Sequence, residues 1–361
     1  MTTRDMRGSG STLLRRRATA IALTLGSALI LAACSSSGTT SSDASSSEAA
    51  PASSEAPASS AAPADSPSAA EEAKTIGVVL NNAADSNQAD ILRGYEDAGK
   101  EYGWTVLSVD TQGDPAKANA AISTFVQQGV DGIAAMVYQG NVLQSGIDAA
   151  KAAGIPVILN GANELVDGAA AAIPVAAGTE QGQITVDGIE GNGSVLMFHY
   201  PPGAPCIAEF EQSTAVFDAN PGVTYESHDV PAPGWEVEGQ KATATWLQTH
   251  PAGEGNLAIW GCWDGPLFGA IAALNAANRD DVLVYGNGGE PLALTAVRDG
   301  TMTATILYDQ YTGGGIAGAK LLNDAIAAGP SWTPVVQPNP SQLVDASNIE
   351  AICTEFPDRC K

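Results

Sequence analysis

From residue 75 onward the chain alternates short apolar runs with longer amphipathic stretches, and this rhythm is what most limits its fold. Residues 75–80 are a buried-strand run, and 86–103 then carry Ile91, Leu92, Tyr95, Ala98 and Tyr102 at helical spacing. The pair repeats as a strand at 105–109, a helix at 115–128, a strand at 132–137, a helix at 142–153 and a strand at 155–159. Strands that are apolar on both faces and joined by helices require a parallel sheet covered on both sides.

A second series starts near Gly193. Strands are expected at 194–199, 223–229, 256–260, 282–285 and 303–308, with helices notably at 238–249 and 266–277. Two such series predict an α/β chain of two Rossmann-like lobes with parallel sheets, and a last helix over 315–328 could cross back to the first lobe. Ligands of such sheets bind beyond the carboxyl ends of the strands, so the residues just after each strand are the candidates for a site.

The segment before this rhythm has a different logic. Arg15, Arg16 and Arg17 precede an uncharged, Ala- and Leu-rich run from Ala18 to Ala33 that ends in small residues before Cys34. At about 1.5 Å per residue the run reaches ~24 Å, short for a bilayer core of ~30 Å, so it reads as an export signal. Leu31-Ala32-Ala33-Cys34 resembles the lipobox of bacterial lipoproteins. That resemblance implies removal of residues 1–33 and acylation of Cys34; an uncleaved signal anchor with Cys34 as a bystander is the alternative. Residues 35–72 hold no apolar side chain larger than Ala. They cannot bury enough surface to offset their ordering entropy, and 34–73 is expected to serve as lipidated anchor and tether. The folded body, 288 residues from Lys74, would then sit at the extracytoplasmic face of the cell membrane.

Charge narrows the partners. The formal net charge is −24, but five of 16 basic residues lie in the first 17 positions; from Cys34 onward 11 basic residues face 39 acidic ones. Such a body repels polyphosphate and anionic headgroups, so nucleic acid is not a partner and any membrane attachment runs through the lipid anchor alone.

The apolar run 76–80, Gly154-Ile155-Pro156-Val157-Ile158, and the stretches 282–289 and 301–306 resemble the ribose-type (type I) periplasmic sugar-binding proteins. The resemblance covers nearly all of 74–329 in order and spacing. The related transcriptional regulators share the Ile-Pro-Val element, but no helix-turn-helix precedes Lys74. The family implies two lobes joined by three hinge crossings, here near Ala177, Asp309 and Gly329, that close on a solute and deliver it to an ABC-transporter permease. On that basis the N-terminal lobe comprises 74–177 plus 309–329, and the C-terminal lobe and tail comprise 178–308 plus 330–361. The chain is expected to act as a monomer without a cofactor or metal, and not as an enzyme.

Carried over by position, the family's site falls on Asp85, Asn87 and Gln88 after the first strand and on Asn160 and Asn163 after the fourth. Asp264 (with Trp263) follows the eighth, Asn287 the ninth, and Tyr308 is the hinge position. An arginine common in the family has no counterpart near 213–217. None of the 11 basic residues directly follows an expected strand, and carboxylate or phosphate recognition usually needs Arg or Lys donors, so an anionic solute is disfavoured. Asn and Asp side chains offer the donors and acceptors that vicinal hydroxyls need. Trp235 and Trp263, in expected loops, offer flat faces for the C–H side of a sugar or polyol, whereas Trp260, inside a strand, is expected in the core. The same aromatics with nearby acids could instead cage a cationic amine or hold an aromatic solute.

Gly313-Gly314-Gly315-Ile316-Ala317-Gly318 matches the dinucleotide pattern, but no acidic residue ends a strand about 20 residues on, so it reads as hinge and close packing. His199, His228 and His250 lie far apart and no serine sits in G-x-S-x-G, which leaves no zinc or hydrolase motif. Outside the membrane, four cysteines besides Cys34 suggest two disulfides, preferably Cys206 with Cys262 at the cleft side of the second lobe and Cys353 with Cys360 in a C-terminal loop. A sensory binding protein feeding a receptor would share every one of these features with an importer component.

Overall fold

The computed structural model of the chain describes residues 73–360. The expected signal peptide, Cys34 and the tether lie outside the described residues. Among the described residues twelve strands form two six-stranded sheets. The first contains β1 (Thr75–Leu80), β2 (Thr105–Asp110), β3 (Gly132–Met136), β4 (Val157–Asn160), β5 (Ala171–Ile173) and β11 (Val335–Val336), in the order β11-β5-β4-β3-β1-β2 and wholly parallel. The second contains β6 (Gly193–His199), β7 (Val223–Asp229), β8 (Asn256–Gly261), β9 (Val282–Gly288), β10 (Ala304–Tyr308) and β12 (Ser341–Asp345). Its order is β12-β10-β9-β8-β6-β7, and only the β10–β12 pair is antiparallel.

The helices are α1 (Ser86–Tyr102), α2 (Pro115–Gln128), α3 (Gln144–Ala152), α4 (Gly178–Gly188), α5 (Ala204–Asp218), α6 (Trp235–Trp246), α7 (Gly265–Ala277), α8 (Pro291–Arg298), α9 (Ala317–Ala328) and α10 (Ile349–Glu355). Local chemistry sets where they begin. Asp85 accepts the backbone N–H of Gln88 at 2.9 Å to start α1, and Asp114 does the same for Ala116 at 2.8 Å, ahead of Pro115 in the first turn of α2.

The fully apolar strands make sense once both sheet faces are followed. Ile76, Val78 and Leu80 of β1 pack with Ala134, Met136 and Ile158 under α1 and α9. Val79 points the other way, with Ile133, Ala135, Val157 and Leu159, against α2 and α3. The second lobe gathers Phe198, Phe217, Trp246, Trp260 and Leu267 into its own core. Burial of this kind contributes about 25 cal/mol per Å² of apolar surface and is the main source of each lobe's stability.

The chain passes between the lobes three times: at 174–177, at Asp309, and at 337–340. The third passage lies later than the expected Gly329. After α9 the segment instead adds β11 to the first sheet, with Val335 and Gln337 N–H donating to Ala170 and Ala172 C=O at 3.2 and 3.0 Å. The reason is hydrogen bonding: without β11, the three-residue β5 would leave a buried sheet edge unpaired. The first lobe therefore extends through Val336, and the second resumes at Ser341.

The glycine run 313–318 lies at the second passage, in a π-helical turn leading into α9. A Cβ on Gly315 would stand 2.7 Å from the Cα of Gly94 in α1, and one on Gly94 would stand 2.6 Å from the Cα of Gly315. Here the run permits backbone-to-backbone packing. Among the described residues no helix is long and apolar enough to cross a membrane.

Candidate functional site

The strand carboxyl ends of both sheets face one cavity between the lobes, with about 830 Å³ of atom-free space, part of it open to solvent. On the first lobe, Asn81 and Asn82 follow β1 directly, and Asp85, Asn87 and Gln88 come from the start of α1. Gln88 shapes this corner by accepting the backbone N–H groups of Asn81 and Asn82 at 2.8 and 3.1 Å. Asn82 Oδ1 in turn accepts the N–H of Ala84 at 2.9 Å. Asn160, at the end of β4, is held from both sides: its Oδ1 accepts from Tyr95 O–H and its Nδ2 donates to Gly314 C=O, each at 2.9 Å. Gln310 and Asn339 enter from two of the passages between the lobes and are bonded to each other at 3.2 Å.

The second lobe contributes a different surface. Trp263 meets Trp235 edge-on with ring centres 6.1 Å apart, and Tyr200 meets Trp263 at 5.7 Å. Pro205 and Ala232 lie beside them, with the Cys206–Cys262 disulfide, whose Cα atoms are 4.9 Å apart. Several donors on this side already have partners. Tyr308 O–H donates to Glu209 at 3.0 Å, Asn287 Nδ2 donates to Gln181 Oε1 at 3.3 Å, and Tyr200 O–H donates across the cleft to Asn81 Oδ1 at 3.2 Å.

The lobes also touch around the cavity. Ala204 N–H donates to Val137 C=O at 2.7 Å, and Ser86 O–H donates to Glu290 at 2.8 Å. Arg359 reaches Asp90 of α1 at 3.8 Å while donating to the carbonyls of Tyr308 and Gly289. Arg359 is carried by a C-terminal loop that the Cys353–Cys360 disulfide closes. Val137, beside the cavity, adopts φ 73°, a conformation that costs a β-branched residue about 1–3 kcal/mol and is held here by its bonds to Asn160 and Ala204.

Eight of the ten residues expected at the site line the cavity: Asp85, Asn87, Gln88, Asn160, Trp235, Trp263, Asn287 and Tyr308. Asn163 does not; its Nδ2 donates to Ala204 C=O at 2.6 Å, so it bridges the lobes. Asp264 does not either, and it is fully buried. Its carboxylate accepts from Thr305 O–H at 2.8 Å and from Glu290 N–H at 2.9 Å, bracing the loop after β9. Trp260 is completely buried in the second core. Asn81, Asn82 and Tyr200 sit directly beyond strand ends, where the parallel-sheet rule points, but the family register points past the first strand to Asp85. Nothing local marks Gln310 or Asn339, which arrive from crossing segments.

No Lys or Arg lines the cavity. Asp85 is the one acid that does, and burial pushes its carboxyl up to about 6. Asp264 is raised by burial to about 6 as well, and Glu290 well above the usual range by burial and the neighbouring Asp85 and Asp264. Among the described residues no cluster of His, Cys, Asp and Glu is placed to hold a metal ion. The cavity lining is otherwise uncharged, with amide, hydroxyl and aromatic side chains. In the surrounding protein, Asn81 Nδ2, Asn82 Nδ2, Asn87 Oδ1 and Asn339 Oδ1 are buried without a hydrogen-bond partner.

A model of the periplasmic binding protein domain family matches residues 76–330. The chain belongs to this family. The ribose import binding protein of Bacillus subtilis is 25% identical over 243 residues, covering 64% of this chain and 75% of its own length. A xylitol-binding protein of Mycolicibacterium smegmatis is 26% identical over 247 residues, covering 67% and 69%. Among solved structures, an ABC transporter solute-binding protein from Agrobacterium vitis with bound allitol superposes with a TM-score of 0.71 at 22% identity, covering 79% of this chain and 100% of that one. Family membership agrees with the architecture: two mostly parallel α/β lobes, three crossings and a ligand-sized cleft between them. It makes the chain a solute-binding protein of the periplasmic type.

Proposed function

We propose that this periplasmic binding protein captures a neutral sugar or polyol between its lobes and delivers it to an ABC-transporter permease from a lipid-anchored position outside the membrane. The observation that carries the ligand class is a cavity lined by amide, hydroxyl and aromatic side chains and by no cationic one. A carboxylate or phosphate would be buried without charge compensation, which is costly, whereas hydroxyls both give and accept hydrogen bonds. Ribose, xylitol and allitol in the names of similar proteins belong to this same chemical class. The lobes themselves require no permease to bind; the Cys34 lipobox supports anchoring, and similar proteins named as import binding proteins support delivery.

A thermal-shift screen of the protein against neutral sugars, polyols, amines and organic acids tests this. Ligand at 100 times its Kd should add about 2.7 kcal/mol of stability. Stabilisation by organic acids alone would overturn the assignment, and stabilisation by amines alone would turn Asp85 and the two tryptophans into a cation cage. The anchor is tested separately, by mass spectrometry of the membrane-bound protein for an acylated Cys34 at the mature N-terminus.

A further inference from the structure

Behind the second lobe's wall lies a carboxyl that neither the strand-end rule nor the cavity lining singles out. Glu209 of α5 is fully buried and does not line the cavity. Its Oε1 accepts from two groups at once: the N–H of Ala177, on the first passage between the lobes, and the O–H of Tyr308, at the end of β10 where the second passage begins, each at 3.0 Å. Its Oε2 is buried without a partner. The same two segments share a small apolar core of Val175, Ala177, Ile306 and Tyr308, separate from the larger cores. One turn further along α5, Ser213 O–H donates to Gly178 C=O at 2.7 Å, so the helix grips the first passage at a second point. Glu209 is the polar tie between two crossings, and of its two partners Tyr308 lines the cavity.

We infer that Glu209 is a positioning residue for solute binding: by accepting the Tyr308 O–H it fixes the phenol at the cavity as a hydrogen-bond acceptor and ties it to the first passage. A phenol whose O–H is already committed keeps only its oxygen lone pairs, so it can receive a proton from a solute hydroxyl or ammonium and cannot donate one. Without Glu209, the Ala177 N–H and the Tyr308 O–H are both left buried and unpaired, or the ring turns to find another acceptor; either outcome disfavours the bound state. Burial raises the Glu209 carboxyl, and a proton on Oε2 leaves Oε1 able to accept both bonds, so a side-chain amide can stand in for it. This requires only that a solute occupies the cavity, whatever its class.

Calorimetric titration of the full chain and its variants with D-ribose, xylitol and allitol tests it. Glu209→Met, similar in size but without a comparable acceptor, should raise the Kd at least about 10-fold. Glu209→Gln should stay within about 3-fold of the wild type, since its Oε1 keeps both bonds. Tyr308→Phe keeps the ring and loses the bond, and should raise the Kd about 5-fold; added to Glu209→Met it should cost less than about 2-fold more, because the two act through one contact. A wild-type Kd in Glu209→Met or in Tyr308→Phe, a Gln variant as weak as the Met variant, or additive losses each overturn the inference. If Glu209→Met does not fold, the Tyr308→Phe and Glu209→Gln results decide by the same criteria. If none of these three solutes binds while an amine or organic acid does, the neutral-solute reading fails, and the same variants titrated with that ligand decide the role of Glu209 separately. A protein that binds no small solute at all sinks both.

Discussion

The two lobes share an architecture and differ in the chemistry they present to the cleft. The first lobe's wall is built on asparagines whose backbone loop is tied down by Gln88, leaving amide atoms free. The second lobe's wall is aromatic and sulfur-bearing, with the donors of Asn287 and Tyr308 already paired inside the protein. A solute held between them gains directional hydrogen bonds from one side and contact area from the other. The comparison teaches that specificity here comes from the kinds of group each side presents, amides on one and aromatic rings on the other.

The largest test of this division sets two tryptophans of the second lobe against each other. Trp260→Ala should cost about 3–5 kcal/mol of folding stability, because it empties a fully buried core position, with its effect on binding secondary. Trp263→Ala should weaken solute binding more than Trp260→Ala does, while lowering the melting temperature less. Parallel thermal melts and titrations decide, and the reverse order would show that core and wall are exchanged.

The disulfides come next. Replacing Cys206 and Cys262 together by Ser opens a link spanning 56 residues and should cost about 4 kcal/mol on the chain-entropy scale, and also loosen the apolar wall. The Cys353–Cys360 link spans 7 residues and its loss should cost about 2.5 kcal/mol, with little change in binding. Denaturant unfolding of the two double variants gives the order.

Protons act at the seam between the lobes. Asp85 and Asp264 both rise from 3.8 to about 6 on burial, so the folded state holds their protons more tightly than the unfolded state does. Their contribution is fully present below pH ~3.8 and is lost as the pH rises through about 6. The melting temperature should therefore climb as the pH is lowered from 7 toward 5. Asp264→Asn should flatten that climb, and a climb unaltered by this substitution would place its source elsewhere.

On the amide wall, Asn81→Ala removes a free donor and the acceptor of Tyr200, and should weaken binding by about 1–2 kcal/mol. Equal binding by the variant would break the assignment of hydroxyl recognition to the first lobe. The smallest effect is expected at the Arg359–Asp90 contact, a partly exposed pair across the lobes, where Arg359→Gln should weaken binding by about 0.5–1 kcal/mol. The same loss in Asp90→Asn, without further loss in the double variant, would identify the pair as the source.

The sequence alone determined the α/β class, the two series of strands, and the residues at several strand ends. Strand runs such as 75–80 and helices such as 115–128 are encoded locally, in apolar periodicity and in caps such as Asp85 and Asp114, so they can be read without a partner segment. The cleft position of Trp263 and the core position of Trp260 followed from the same local rule, loop against strand. Tertiary structure alone decided which polar atoms stay free. Asp264 and Asn163 have the right type and position for the site, yet distant partners, Thr305, Glu290 and Ala204, claim them. Asn339 reaches the cavity because β11 holds the chain to the first sheet for two more residues before it crosses, and there it meets Gln310 of the second passage. Periodicity is a property of neighbours in the chain, whereas an unpaired donor depends on every group that packing brings near it, and that is a property of the whole fold.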